Sequence, residues 1–468
     1  MSIGLSKNQV CEITGGISVQ DGARLNFERI EYDSREIRGG EMFIALKGAQ
    51  SHGHDHIEMA LSRGAALCLV EDEQIAKNSS HPDRMVVVRD TLQAFWTLAK
   101  WWRRELALPV LAVTGSVGKT TIKELAAALL LKWNKGAYSQ KSHNNHVGVP
   151  YTICRISREH RWAVLEMGMN HAGEISNLTR LGEPDVALIS LIAPAHIESF
   201  ASIDGIVDAK FEILEGLKPG GSIILNHDDV RQVAKWNSIR GATNAQVRFF
   251  GSSEECDARI SNVRAFGLEG IEFDLRLLGE DLPVTLRMLG KHNAYSAAAA
   301  ALAVKALVPE ITNDQIMAGL TDFKAPLMRL AMKHLKSGKR LIDDSYNANP
   351  ASMGALLDIA ADLKQENLRI GLLLGDMLEL GAEAEQFHRE VGEKAAALKP
   401  QFLIAVGPNS KYYVEAAEKQ GVRAVDGVTP EAAAQLARKL DFDILLVKAS
   451  RGIGLDRAVK IIFERDGA

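Results

Sequence analysis

The segment Thr114-Gly115-Ser116-Val117-Gly118-Lys119-Thr120-Thr121 lies between an apolar run, Val110 to Val113, and a helix-patterned stretch, Thr120 to Leu131. It constrains the fold more than any other feature. A strand must deliver the loop and a helix must leave it if backbone N–H groups are to converge on one anion. Glycine at 115 and 118 allows close backbone approach, Lys119 supplies positive charge, and the Thr120 hydroxyl can ligate Mg²⁺. A GxxGK[ST] string arises by chance about 0.02 times in a chain of this length at average residue usage. Gly115, Ser116, Val117, Gly118, Lys119, Thr120 and Thr121 are therefore the candidate phosphate-binding residues, and a nucleotide is the expected ligand. Val113 stands where the general pattern has its first glycine. The alternative is a glycine-rich turn with a surface lysine, and the loop itself discriminates little between ATP and GTP.

Around this loop the chain alternates strand and helix. Expected strands at Val110 to Val113, Trp162 to Met167, Val186 to Leu191 and Ser222 to Leu225 alternate with helices at Glu174 to Leu181 and Gly205 to Leu217, the pattern of a parallel sheet covered on both faces. Arg259 to Leu289, with short alternating segments and several glycines, reads as an antiparallel appendage, and a helix from His292 to Leu307 closes the region. The same alternation precedes it, with strands at Arg29 to Tyr32, Met42 to Leu46, Leu67 to Val70 and Met85 to Val88. It restarts near Pro326, with strands at Arg340 to Asp343, Leu368 to Leu374, Phe402 to Val406 and Asp443 to Val447. A length of 468 residues suits about three domains at roughly 150 residues each. The expected class is α/β in three domains: a smaller N-terminal α/β unit (1–108), a central phosphate-loop unit with a doubly wound, mostly parallel sheet (109–325), and a C-terminal Rossmann-like unit (326–468).

Composition excludes several classes. The formal net charge is −4, with no long block of one sign, which argues against a nucleic-acid partner. The longest apolar stretch, Ala294 to Leu307, is alanine-dominated and broken by Lys305, too short and weak for a membrane span. Met1 to Val10 lacks the apolar run of a secretion signal. Cys11, Cys68, Cys154 and Cys256 form no CxxC pair and read as buried thiols of a reducing cytoplasm. A monomer is expected.

Three further positions carry chemistry. Glu166 falls at the end of an expected strand, where carboxyl ends of parallel strands face ligands; there it could reach a metal held by Thr120. His196 follows the next strand after Pro194, on the same side, and by itself reads more readily as a capping or satisfied core histidine than as a ligand. Lys210, on a helix, reads by itself as a solvated lysine. The cluster Ser51-His52-Gly53-His54-Asp55-His56 suggests a surface substrate loop rather than a metal site, since no further ligands follow at useful spacing.

Seven segments together resemble the signature set of the Mur ligases, the ATP-dependent amide-bond ligases of cell-wall precursor synthesis. They are TGSVGKTT (114–121), EMGMNHAGEI (166–175), AHIESF (195–200) with DAK (208–210), GKHNAYSAAAA (290–300), DDSYNANP (343–350), LGDMLELG (374–381) and KASRG (448–452). The second, fifth and sixth resemble the members that add D-alanyl-D-alanine to UDP-N-acetylmuramoyl-tripeptide. The DNPR-like motif of the diaminopimelate- or lysine-adding members does not occur. The resemblance implies ATP and Mg²⁺ as cofactors, with Thr120, Glu166 and His196 around magnesium and Lys210 carbamylated by CO₂ to help hold a second ion. It implies that Lys119, Glu166, His196 and Lys210 are catalytic, and that Asn293 contacts adenine while Arg329 and Asp344 grip ATP. Ser34, Arg35 and Lys47 then belong to a UDP-binding segment with the His52–His56 loop. Asn144 and Asn145 belong to a substrate-contacting turn, and Asn347, Asn349, Lys448, Ser450 and Arg451 to substrate contacts from the C-terminal unit. Ser296 and Ala449 depart from the asparagine and glycine common in the family. Alternatives are a folylpolyglutamate synthase-like or cyanophycin synthetase-like ligase of the same fold, or a phosphate-loop module that binds ATP without making a bond.

Overall fold

The computed structural model describes residues 3–20, 26–48, 51–194, 198, 200 and 202–466. Three larger α/β sheets follow one another along the chain, beside a two-stranded antiparallel pair of Leu5–Ser6 with Asn26–Phe27. The first has five strands in the order Ile17–Ser18, Met85–Val87, Leu67–Val70, Met42–Ile44, Ile30–Glu31, with only the Ile17–Ser18 edge antiparallel. Gly39 and Gly40, both at positive φ, turn the chain into Met42–Ile44, which pairs in parallel with Ile30–Glu31.

The central sheet has nine strands. From Val110–Thr114 the chain moves to one side to form Ala137–Tyr138 and Ala163–Glu166. It then crosses to the other side for Val186–Ile189, Ser222–Asn226 and Gln246–Gly251. That reversal opens a crevice at the carboxyl ends of the parallel strands, where ligands bind in such folds. The antiparallel segments are not an appendage: Phe250 pairs in parallel with Ala258, so Ala258–Phe266, Gly270–Leu277 and Glu280–Leu286 extend the same sheet. They could be recognised from the alternating burial of Gly270–Leu277. Gln246–Gly251, the strand that joins them to the sheet, is partly exposed at its start and shows no such alternation.

Helix Asn293–Leu307 carries the long alanine run and is buried on nearly every side. Small side chains let it lie against the sheet and the helix Lys119–Leu131 at once, which is what an apolar-all-round helix requires. Helix Thr91–Leu106 links the first sheet to the central one. Its Trp102 donates Nε1–H to Ile156 O at 2.8 Å. Buried Arg103 donates to Gly182 O at 2.7 Å and Glu183 O at 2.9 Å, closing the free carbonyls of helix Glu174–Gly182.

The helix expected over Gly205 to Leu217 is α-helical only at Ile203–Phe211 and tightens to a 3₁₀ turn over Glu212–Gly216. There the Glu212 carboxylate accepts from Gly173 N at 2.7 Å and Ser176 N at 3.1 Å. It caps a helix whose own N-cap residue, Gly173, has no side chain to do so.

The third sheet runs Ala331–His334, Arg340–Asp344, Ile444–Lys448, Ile370–Gly375, Phe402–Val406, Ala424–Val425, parallel except at its first edge. Among the described residues no helix is long and apolar enough to cross a membrane. The cysteines are free; Cys68 and Cys154 are buried, whereas Cys11 and Cys256 are only partly so. Cys11 lies on the flank of a surface helix and Cys256 in the turn before Ala258–Phe266.

Candidate active site

The phosphate loop forms as its sequence requires. Gly115 has φ +140° and passes so close to the next strand that an added Cβ would lie 2.0 Å from Ser190 Oγ. Gly118, at φ +90°, starts helix Lys119–Leu131, leaving that helix's first N–H groups and positive dipole end facing the crevice. Ser190 Oγ donates to Val117 O at 2.6 Å and fixes the loop's tip. Ser190 supports the phosphate loop without lining the cavity, and no sequence motif marks it; its only signal is its place at the carboxyl end of a parallel strand.

The loop is one wall of a cavity of about 490 Å³ between the central and C-terminal sheets. Ser116 to Thr121, Asn144, Asn145, Glu166 and Asn293 line it from the central side. Arg329, Asp344, Asn347, Asn349, Lys448, Ser450 and Arg451 line it from the other. Residues from opposite ends of the two units thus meet at one site. Gly115 lies behind the loop, and Lys210 is not among the lining residues. His196 falls outside the described residues. Ser34, Arg35 and Lys47 lie in the loops of the first sheet, away from this cavity. There Ser34 is buried and donates to Met59 Sδ, Arg35 is clamped by Asp33, and the backbone of Lys47 pairs antiparallel with that of His52.

Among the described residues no cluster of His, Cys, Asp or Glu could by itself hold a metal ion. Two of the histidines at 52–56 are occupied: His54 Nε2 accepts from Glu71 N, beyond the strand Leu67–Val70, at 2.9 Å, and His56 Nε2 bonds Ser51 Oγ at 2.7 Å. At the phosphate loop the donor set does suit a nucleotide-bound Mg²⁺. Glu166 is 1% exposed, its Oε1 accepts from Asn144 Nδ2 at 2.9 Å, and its Oε2 has no hydrogen-bond partner, like the buried Ser116 Oγ. A buried carboxylate oxygen without such a partner is costly, and a divalent cation shared with nucleotide phosphates would satisfy it.

Lys119 folds onto its own loop, donating to Gly115 O at 2.6 Å and Ser116 O at 3.3 Å. Burial by the crowded cleft walls pushes its ammonium down to about 8; Glu166 acts against this and Arg329 with it. Bound phosphate would restore the charge, so ATP binding should take up a proton at pH values above 8, and affinity should fall by up to about tenfold per pH unit there. Calorimetry near pH 8.5 in buffers of differing ionisation enthalpy measures that proton directly; equal heats would contradict it.

Several residues expected to contact ATP or substrate have structural partners. Asn145 Oδ1 accepts from Val147 N and Gly148 N and starts helix Gly148–Cys154. Asn349 caps helix Pro350–Gln365, and Asn293 Nδ2 donates to Leu289 O at 2.7 Å. Lys448, 3% exposed, is paired with Asp344 and donates to Asn347 O at 2.9 Å. Arg329 stacks over Tyr346 at 4.5 Å, and the Tyr346 hydroxyl reaches Ser142 across the cavity. Tyr346 and Ser142 join the two sides directly, a contact that neither residue announces in the sequence.

The LGDMLELG segment acts through its fold. Buried Asp376 accepts from Asn409 N at 2.8 Å and Nδ2 at 3.0 Å. His388, kept neutral by burial, accepts Met377 N–H at Nε2, 3.1 Å, while Nδ1 donates to Ala384 O at 2.6 Å. These bonds fix the turn that brings Leu378 and Glu379 to the cavity.

Lys210 is not solvated: it is 3% exposed. Burial, and secondarily Lys119, hold its pKa well below the ordinary lysine value, against Glu212 and Glu174.

Comparison with known proteins agrees with this arrangement. Three family models match in chain order: "Mur ligase family, catalytic domain" at residues 26–99, "Mur ligase middle domain" at 113–304 and "Mur ligase, glutamate ligase domain" at 328–451. The UDP-N-acetylmuramoyl-tripeptide--D-alanyl-D-alanine ligase of Escherichia coli (strain K12) is 34% identical over 466 residues, covering 99% of each chain. The ligase of the same name from Bacillus subtilis (strain 168) is 34% identical over 438 residues, covering 92% of each. The crystal structure of MurF from Acinetobacter baumannii superposes with a TM-score of 0.87 at 28% identity over 99% of both chains. The MurF ligase of Thermotoga maritima in complex with ADP shares the fold, with a TM-score of 0.78 at 24% identity over 93% of this chain and 97% of that one. With the phosphate loop, the buried carboxylate and the C-terminal Asp344–Lys448 pair on one cavity, and these matches along its whole length, the chain belongs to the Mur ligase family.

Proposed function

We propose that this chain is an ATP-dependent ligase that joins D-alanyl-D-alanine to UDP-N-acetylmuramoyl-tripeptide, releasing ADP and phosphate and forming the muramoyl-pentapeptide precursor of peptidoglycan. The observation that carries the reading is the convergence of phosphate-loop and C-terminal residues on one cavity around the open Oε2 of Glu166. Relatives of that name spanning the whole chain support the choice of substrates. The division of labour follows the three sheets. Residues 1–108 bind the UDP-substrate, 109–325 bind ATP, and 326–468 close over ATP and bind the dipeptide.

A carboxylate does not acylate an amine at neutral pH, because oxide is too poor a leaving group. The tripeptide's terminal carboxylate attacks the ATP γ-phosphorus; the bond to the β–γ bridging oxygen breaks and ADP leaves. The neutral dipeptide amine then attacks the acyl phosphate carbon, and the tetrahedral intermediate expels phosphate as the amide forms. Lys119 and the loop N–H groups hold the transferred phosphoryl in line, a reaction controlled by position and charge. Lys448 and Arg451 face the same space and are placed to stabilise the oxyanion. Thr120, Glu166 and, by the family resemblance, His196 would hold Mg²⁺, which would supply charge neutralisation. Lys210 in neutral form adds CO₂ at Nζ, releasing a proton and becoming a carbamate anion; its burial and low basicity support this, because only the free amine reacts. ATP and UDP-sugars as substrates put the reaction in the cytoplasm.

Phosphate release that requires both UDP-muramoyl-tripeptide and D-alanyl-D-alanine is expected, with little from either alone. Release driven instead by a folate and glutamate, or no release with any amine and carboxylate pair, would overturn the assignment. Tripeptides ending in lysine or diaminopimelate, compared in the same assay, identify the third residue.

A further inference from the structure

Lys123 lies one turn beyond Lys119 on the helix that leaves the phosphate loop, yet it is fully buried and does not line the cavity. Its ammonium donates to Ser139 O at 2.7 Å and Lys141 O at 3.3 Å, pairs with Glu124 Oε1 at 2.6 Å, and lies 4.0 Å from Glu166 Oε2. A buried ammonium is tolerated only when fully partnered, and these partners converge on one segment. Ser139 Oγ accepts the backbone N–H of Glu166 at 3.0 Å. Further along the same segment, the Asn144 side chain holds Glu166 Oε1, and the Asn144 carbonyl accepts from Gly168 N at 2.8 Å. The segment from 139 to 144 therefore grips Glu166 by its backbone and by one carboxylate oxygen, and Lys123 anchors the start of that segment.

We propose that Lys123 is a positioning residue for the site carboxylate: by pinning the carbonyls of Ser139 and Lys141, it holds Glu166 in the orientation that leaves Oε2 open to a divalent cation. This rests on the reading of Glu166 as a metal carboxylate. Lys123 touches neither nucleotide nor substrate in this scheme; it acts through the Ser139 and Lys141 carbonyls and, at 4.0 Å, through the charge of its ammonium beside Glu166 Oε2.

Mn²⁺ binding in the presence of ADP, read by electron paramagnetic resonance without turnover, tests it. Lys123→Met keeps length and apolar bulk but removes the donor, and is expected to weaken Mn²⁺ by about 10–100-fold, the usual cost of losing an outer-shell support. Its melting temperature should fall, because the Ser139 and Lys141 carbonyls and the Glu124 carboxylate lose their donor, while its ADP affinity should stay near the parent's. Ser139→Ala, which removes only the acceptor of the Glu166 N–H, should weaken Mn²⁺ in the same direction and carries the test if the methionine variant does not fold. Glu166→Gln is the control. Parent-like Mn²⁺ binding in folded Lys123→Met, or in Ser139→Ala if the methionine variant is unfolded, overturns the proposal while a weakened Glu166→Gln leaves the site reading intact. Parent-like binding in Glu166→Gln overturns the site reading itself.

Discussion

Lys119→Ala is expected to lower ATP turnover by about 10²–10³-fold, the loss of roughly 2.7–4 kcal/mol of charge stabilisation at a transferring group. Other cations line the cavity, but from its C-terminal side. Lys448 is tied to Asp344 and the Asn347 carbonyl, and Arg329 stacks on Tyr346. Neither stands at the helix N-terminus where the loop N–H groups converge. Lys119 bonds carbonyls of its own loop, so its removal should move the melting temperature little, and lost activity will report chemistry rather than unfolding. ADP release at saturating substrates is the measurement; unchanged turnover in a folded Lys119→Ala variant would reject the phosphate-loop assignment.

The second large effect is expected at Lys210. Lys210→Ala should lose most activity, by about 10²-fold or more, because on the proposed carbamate reading the variant lacks a metal-supporting anion. Formate or acetate should restore part of it by entering the space of the missing carbamate, while chloride at equal ionic strength should not. That contrast separates a carbamate from a lysine that only fills volume: removing a buried side chain costs stability in any case, but no small carboxylate would repair it. Normal turnover in Lys210→Ala contradicts the carbamate outright.

Much of the fold could be read from local pattern. The strands Leu67–Val70 and Phe402–Val406 have the bounds their apolar runs suggest, and the phosphate loop has its strand before and helix after it. Buried parallel strands are near-continuous apolar runs, so their identity is written in a few consecutive residues. The short edges Ala137–Tyr138 and Ala424–Val425 are not legible, since two residues carry no periodicity. Nor is the continuation of the antiparallel strands into the central sheet, which depends on where the backbone edge of Gln246–Gly251 is left open.

The candidate site divides in the same way. Residues of the phosphate loop act through a backbone conformation that their own glycines dictate, so Lys119 and Thr120 can be located without coordinates, and the family motifs then name the ligase chemistry. What surrounds a lone polar side chain is decided by segments far away in the chain. Lys210 reads as an ordinary solvated helix lysine until packing buries it, and Lys123, which no motif singles out, is buried in the same way. Asn145 and Asn349 read as substrate contacts until their oxygens are found capping helices. Glu166 is a strand-end carboxylate in the sequence; only the tertiary structure shows that one of its oxygens is held by Asn144 and the other left open. Motifs encode local geometry, and for that reason the kind of chemistry is legible in the linear chain. Burial and partnering set charge and orientation at the site, and they exist only once distant elements are packed together.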